Sequence, residues 1–123
     1  MRLNRPDKGN AIDENMAFDL AEAATRIAER SDVRAVLIAG NGPNFTVGGG
    51  LDLFAGSARA QLPNRLRRMI DNYHLAIEWL TSIDPPVVAA VRGGPGGGGL
   101  GLLYAADIVV AADDARFAPC RAS

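Results

Sequence analysis

The sequence is poor in the residues that mark several large classes of protein. It has one cysteine and one histidine in 123 residues, which excludes a disulfide framework and a cysteine-based metal motif. Its acidic and basic residues nearly cancel and leave a net charge of −1, whereas a nucleic-acid-binding domain usually carries a basic stripe. We therefore expect no metal site and no nucleic-acid partner.

Long hydrophobic runs are also missing. The longest, VVAAV and LLYAADIVVAA, are too short or too charged to span a bilayer. The opening residues, MRLNRPDKGN, lack the apolar core of a signal peptide. These absences predict a protein of the reducing cytoplasm that makes no contact with a membrane.

The pattern that is present predicts a single α/β domain over residues 1–123. Apolar residues make up 48% of the chain, enough for a buried core. Strand-like and helix-like segments alternate, which is typical of a layered fold with a mainly parallel sheet. In chain order we predict a helix from an Asp13 cap to about Arg30, a strand over 33–39, a helix over 64–82, a strand over Val87–Val91, a helix to about Ala105 and a strand over 107–112.

The long second helix has one apolar face by its spacing. Asn64 is the predicted N-cap, because its side chain suits that position. Pro85 and Pro86 are predicted to end the helix. The predicted apolar face consists of Leu66, Met69, Ile70, Tyr73, Ile77 and Leu80. We expect this face to pack against the core.

Glycine is the residue that the chain has in excess. Seven of the nine residues from 93 to 101 are glycine, directly after the strand Val87–Val91. Glycine lets backbone N–H groups approach a ligand without obstruction, and the first turn of a helix leaves such groups unpaired. The run therefore predicts a site for an anion, or for an oxygen that becomes one.

The first glycine cluster along the chain, Gly48 to Gly50, follows a short extended piece at residues 45–47, and the run at residues 93–101 is the second cluster. If the preceding strands are neighbours in one parallel sheet, both clusters lie at the same sheet edge, where α/β proteins bind their ligands. One N–H group from each cluster could then converge on a single oxygen. Such a pair of donors is an oxyanion hole.

The order of four segments, LNRPDKGNAID, VLIAG, FTVGGGLDL and PPVVAAVRGGPGGGGLGLLYAADIVVAADDARFA, resembles the enoyl-CoA hydratase/isomerase (crotonase) family. The resemblance implies a crotonase-like spiral of ββα units and a site for an acyl-CoA thioester. It implies no separate cofactor, since coenzyme A is part of the substrate. It also implies relatives that assemble as trimers and hexamers.

The resemblance assigns the site residue by residue. Gly98, the middle glycine of the triplet, is the expected second oxyanion donor. An ungapped match from Phe45 makes Gly48 the motif glycine and Gly49 the first donor, whereas a two-residue insertion makes Leu51 the donor instead. The remaining substrate contacts are implied at Lys8 for the coenzyme A phosphates, at Asn10 and Ala11 for its adenine end, and at Gly48 and Gly97.

Two departures leave the reaction open. Gly101 stands where a hydratase of the family has its first glutamate, and Arg121 stands near the position of the second. Full-length relatives are about twice as long, so we expect a truncated fold whose assembly is doubtful and whose activity is low. Two alternatives stay open: a dinucleotide (NAD) site on Gly94-x-Gly96-x-x-Gly99, and a fragment that catalyses nothing.

Overall fold

The computed structural model describes residues 1–49 and 60–117. The strands are β1 (Arg2–Leu3), β2 (Val36–Gly40), β3 (Val87–Val91) and β4 (Ile108–Ala111). The α-helices are α1 (Glu14–Glu29), α2 (Leu62–Ser82) and α3 (Leu100–Ala105), and two 3-10 turns cover Pro6–Lys8 and Gly97–Gly99. None of the helices within these ranges is long and apolar enough to cross a lipid bilayer.

The four strands form one parallel sheet in the order β1-β2-β3-β4. Ala39 of β2 lies beside Ala90 of β3, and Ala90 lies beside Val110 of β4. Parallel neighbours need a crossover connection, which α1 and α2 supply on the way to β2 and β3. The predicted α/β architecture with a parallel sheet is confirmed, and the carboxyl ends of β2 and β3 lie at the same edge.

The first helix begins where the sequence predicts. The Asp13 carboxylate accepts a hydrogen bond of 2.8 Å from the Met16 N–H group and so caps α1. The same carboxylate pairs with the Arg5 guanidinium. Burial acts to raise the pKa of Asp13, but the Met16 hydrogen bond and Arg5 outweigh it and hold this pKa below its ordinary value. The charged carboxylate thus joins the first turn of the chain to α1.

The second helix differs from its prediction at the N-terminal end. It begins at Leu62 with Gln61 as the cap residue, so the predicted Asn64 cap is wrong. Pro63 explains the earlier start, because proline is well accommodated in the first helical turn. Ala76 and Leu80 are buried, whereas Leu66 and Ile70 are each 38% exposed. Met69, Tyr73 and Ile77 pack partly buried against the core, so the predicted apolar face meets the core except at Leu66 and Ile70.

The segment at residues 45–47, predicted as extended, does not form a strand, and neither do residues 116–117. The N–H group of Phe45 donates to the Arg92 carbonyl at 3.0 Å, and the N–H group of Arg116 donates to the Gly93 carbonyl at 2.8 Å. Both segments therefore pair with the loop after β3 instead of with a strand. This loop pairing brings the first glycine cluster against the second.

Candidate functional site

The two glycine clusters lie against each other at the carboxyl edge of the sheet. The Gly96 N–H group donates a hydrogen bond of 3.1 Å to the Thr46 carbonyl. A Cβ atom on Gly48 would come within 2.4 Å of the Gly96 carbonyl oxygen and 3.1 Å of the Gly98 nitrogen. Gly48 also has a φ of +86°, in the left-handed region that disfavours other residues. Only glycine at position 48 permits this approach of the two turns.

Three N–H groups at this junction, those of Gly49, Gly97 and Gly98, have no partner among the described residues. The Gly48 N–H group is engaged, since it donates to the Thr46 hydroxyl at 3.0 Å. The N–H groups of Gly49 and Gly98 donate to no residue in the described ranges, and both glycines are exposed. Bond lengths along Gly48 place the two nitrogens within about 7 Å of each other. One small ligand group can therefore contact both turns.

Thr46 holds this arrangement together, and sequence reasoning missed it. The side chain is fully buried, and its hydroxyl donates a hydrogen bond of 2.7 Å to the Asn10 carbonyl while accepting the one from Gly48. Its methyl carbon would lie 2.5 Å from a Cβ on Gly99, so position 99 must also be glycine. The available signal was a lone hydroxyl in an otherwise apolar FTV segment, because a buried hydroxyl needs partners.

Asn10 is buried and its polar groups are used within the protein. Its Oδ1 accepts from the Arg5 N–H group at 2.7 Å, and its Nδ2 donates to the carbonyls of Asn41 and Asn44 at 2.9 Å each. Its backbone carbonyl accepts from Thr46. The structure thus gives Asn10 the role of linking the first turn of the chain to the loop after β2. Its predicted contact with substrate stays a prediction.

The other predicted contacts lie around the same edge. Lys8 is exposed on the 3-10 turn, and its ammonium group forms no ion pair with a described residue. The Ala11 N–H group donates to the Lys8 carbonyl at 3.1 Å. A Cβ on Gly97 would lie 4.0 Å from the Val47 carbonyl oxygen, so Gly97 faces the first cluster. Leu51 and Arg121 lie outside the described residues.

Side chains of α2 cover Gly101, the position at which a hydratase of the resembled family has a glutamate. A Cβ there would lie 3.0 Å from the Tyr73 hydroxyl oxygen and 3.1 Å from Cδ1 of Ile77. The Tyr73 hydroxyl donates a hydrogen bond to the Gly98 carbonyl. Burial raises the pKa of this phenol to about 12. Any side chain at position 101 would therefore begin in contact with the Tyr73 hydroxyl and with Ile77.

The glycines of the dinucleotide pattern use their N–H groups internally. Gly94 donates to Oδ1 of Asn44 at 3.0 Å, and Gly99 donates to the Gly96 carbonyl at 2.9 Å. Gly96 donates to Thr46, as described above. A pyrophosphate would need such groups free at the start of the helix. This geometry disfavours the NAD-binding alternative.

One groove of the described structure lies away from both glycine clusters. It has a volume of about 700 Å³ and lies between the end of α1 and the end of α2, beside Pro86. These residues precede β2 and β3, so the groove opens at the opposite edge of the sheet. None of the predicted site residues lines it, and it carries no candidate chemistry.

Comparison with known proteins identifies the family. The enoyl-CoA hydratase/isomerase family model matches residues 1–122. The chain is 32% identical over 119 residues to 4-chlorobenzoyl coenzyme A dehalogenase-2 of an Arthrobacter species. It is 35% identical over 126 residues to the mitochondrial Δ(3,5)-Δ(2,4)-dienoyl-CoA isomerase of Mus musculus. These alignments cover 97% and 95% of this chain but 43% and 38% of the relatives.

Solved structures agree with this result. An enoyl-CoA hydratase/carnithine racemase from Magnetospirillum magneticum matches with a TM-score of 0.83 at 30% identity, over 96% of this chain and 44% of that one. An enoyl-CoA hydratase from Bacillus anthracis matches with a TM-score of 0.81 at 29% identity, over 94% and 44%. The predicted crotonase-like fold is confirmed, and the chain spans less than half the length of these relatives. The chain belongs to the enoyl-CoA hydratase/isomerase family.

Proposed function

We propose that this chain binds an acyl-CoA thioester and holds its carbonyl oxygen between the N–H groups of Gly49 and Gly98. The observation that carries the proposal is the pair of exposed N–H groups, on adjoining glycine turns, that have no partner among residues 1–49 and 60–117. When negative charge develops on the thioester oxygen, as in an enolate or a tetrahedral adduct, the hydrogen bonds from both N–H groups become stronger. Each such donor contributes about 3–4 kcal/mol to a reaction in a site from which water is excluded.

The relatives support the substrate class. The names of the dehalogenase and the isomerase both specify a coenzyme A thioester, although the two reactions differ. What such reactions can share is the thioester carbonyl, and this is the group that two backbone donors recognise. Lys8, exposed on the first 3-10 turn, supplies a positive charge for the phosphates of coenzyme A.

We further infer that this chain is a poor hydratase. Hydration of a 2-enoyl thioester needs a group that activates water and a group that protonates the carbon next to the carbonyl. Gly101 and Arg121 stand where the family's hydratases carry glutamates, and Tyr73 and Ile77 fill the space beside Gly101. A neutral phenol with a pKa of about 12 does not replace a carboxylate base near neutral pH.

A binding experiment tests the proposal. Crotonyl-CoA labelled with ¹³C at the thioester carbonyl is added to the protein, and the carbonyl stretching band is recorded by difference infrared spectroscopy. We expect the bound band at lower frequency than the band in buffer, because two hydrogen bonds weaken the C=O bond. Free coenzyme A and NAD are the control ligands for affinity. Binding of NAD in preference to crotonyl-CoA, or a bound carbonyl with an unshifted band, contradicts the proposal.

The second candidate function is acyl-CoA binding without turnover. It is favoured by the crowded surroundings of Gly101. A turnover assay with crotonyl-CoA distinguishes it from catalysis: we expect a shifted carbonyl band together with hydration close to the rate without protein. Clear hydration would contradict the assignment of low hydratase activity and leave the carbonyl site intact.

A further inference from the structure

Tyr73 of α2 joins the long helix to the second glycine turn. Its side chain is half-buried, and its hydroxyl donates to the backbone carbonyl of Gly98. The ring also covers α3, since Cε2 would lie 3.5 Å from a Cβ on Gly101 and the hydroxyl oxygen 3.0 Å from it. Tyr73 is therefore in contact with both the turn and the start of the helix that follows it.

Gly98 is held within the 3-10 turn, where the Leu100 N–H group donates to the Gly97 and Gly98 carbonyls, but Tyr73 is the only side chain among the described residues that bonds to it. Gly98 has no side chain, it is exposed, and a Cβ placed on it would meet nothing within 4 Å. Glycine also loses more backbone freedom on ordering than any other residue. Because a hydrogen bond to the Gly98 carbonyl restricts the peptide plane on one side of its Cα, it limits the directions in which the Gly98 N–H group can point.

We propose that Tyr73 is a positioning residue that holds the Gly98 turn so that its N–H group faces the ligand. The effect of this positioning on thioester binding rests on the proposed function. The positioning itself is a property of the unliganded protein. Since the pKa of the phenol is about 12, its proton stays in place as the donor across neutral and mildly alkaline pH. Glycine at position 101 leaves room for this hydroxyl.

Backbone ¹⁵N relaxation of the unliganded chain tests the positioning. In the unsubstituted protein we expect an order parameter for the Gly98 amide of about 0.85, typical of rigid backbone, and in Tyr73→Phe a fall to about 0.6 or below. Tyr104→Phe makes the same chemical change at a side chain that is 83% exposed. This control should leave the Gly98 order parameter unchanged.

Gly101→Ala provides a second route to the same result. The added methyl group would crowd the Tyr73 hydroxyl at 3.0 Å, so we expect Gly98 to become more mobile. A general loss of stability would not explain that result, since alanine favours a helix over glycine by about 0.5–1 kcal/mol. The proposal is overturned if Gly98 keeps its order parameter in both variants while the β3 amides stay rigid. If Tyr73→Phe fails to fold, Gly101→Ala decides the matter.

Ligand binding separates this inference from the proposed function. For Tyr73→Phe we expect the affinity for crotonyl-CoA to fall about 3- to 10-fold, as for loss of one hydrogen bond, with the affinity for free coenzyme A unchanged. If the unsubstituted protein binds both ligands equally and leaves the carbonyl band unshifted, the proposed function fails. The relaxation experiment then still decides whether Tyr73 orders Gly98.

Discussion

The buried hydroxyl of Thr46 donates a hydrogen bond of 2.7 Å to the backbone carbonyl of Asn10, 36 residues earlier in the chain. Through this contact the turn before α1 is tied to the first glycine cluster, and the Thr46 carbonyl in turn accepts from Gly96 of the second cluster. Three separate segments thus meet at one threonine. The geometry of the candidate site depends on it.

Replacing Thr46 with valine should destabilise the protein by about 1–3 kcal/mol, because valine keeps the volume but leaves the Asn10 carbonyl and the Gly48 N–H group buried without their partner. The free energy of unfolding in urea measures the effect. Thr81→Val is the matched control, since the Thr81 hydroxyl donates only to the Ile77 and Glu78 carbonyls of its own helix, at an exposed position. An equal effect in the two variants would contradict the role of Thr46.

Gly48→Ala should be severely destabilising. The new Cβ would lie 2.4 Å from the Gly96 carbonyl oxygen, and the backbone at position 48 has a φ of +86°. We expect the free energy of unfolding to fall by about 2–4 kcal/mol, because alanine would be strained in the left-handed backbone conformation and would displace the second turn. Gly98→Ala, where a Cβ meets nothing within 4 Å, should change the free energy of unfolding by less than about 0.5 kcal/mol.

The Asp13 cap predicts a dependence of stability on pH. Because the folded pKa lies below the unfolded value, the carboxylate adds stability above the unfolded pKa and loses it as pH falls through the folded pKa. Asp13→Asn keeps a capping side chain but removes the charge. We expect it to be about 0.5–1 kcal/mol less stable than the unsubstituted protein at pH 7.

Urea unfolding of both proteins at a series of pH values from 7 to 2 measures this difference. The two plots of unfolding free energy against pH should approach each other below pH 3.8, the ordinary pKa of an aspartate. Arg5→Gln removes the ion partner and should narrow the same difference at pH 7. A gap between the curves that is constant across this range would mean that the charge of Asp13 contributes nothing.

Gly98→Pro tests the second oxyanion donor directly. Proline has no N–H group, so one of the two proposed hydrogen bonds to the thioester carbonyl is lost. We expect the frequency shift of the labelled carbonyl band on binding to be smaller in Gly98→Pro than in the unsubstituted protein. Gly98→Ala keeps the N–H group, so its frequency shift should be reduced less. The circular dichroism of the variant must match that of the unsubstituted protein. An undiminished shift in a folded Gly98→Pro protein would assign the donor to another residue.

Elements that depend on near neighbours were predictable from the sequence. The Asp13 side chain bonds to a backbone group three residues away, so the start of α1 follows from local residue types. The strand Val87–Val91 was predicted with its observed bounds, because a short apolar run ends at prolines on one side and glycines on the other. The start of α2 was missed by two residues, since Asn64 and Pro63 both suit a first helical turn.

The family followed from the same local patterns, since the four segments that resemble it are contiguous and lie in the family's order. Roles could be assigned to their glycines from the sequence, but the hydrogen-bond partner of each glycine N–H group could not. Which N–H groups are engaged depends on contacts between residues 46–48 and 96–98, some fifty positions apart. Spacing along the chain carries no information about such pairs.

The sequence alone therefore established the order of strands and helices, the capped start of α1 and the family to which the glycine turns belong. Folding then determined that Gly48 is engaged by Thr46 while Gly49 and Gly98 have no partner in the described ranges. It also brought Tyr73 over Gly101 and against the Gly98 carbonyl, 25 residues away in the chain. The reason is physical: hydrogen-bond partners are assigned by distance in space, which the parallel sheet creates by bringing two loops to one edge.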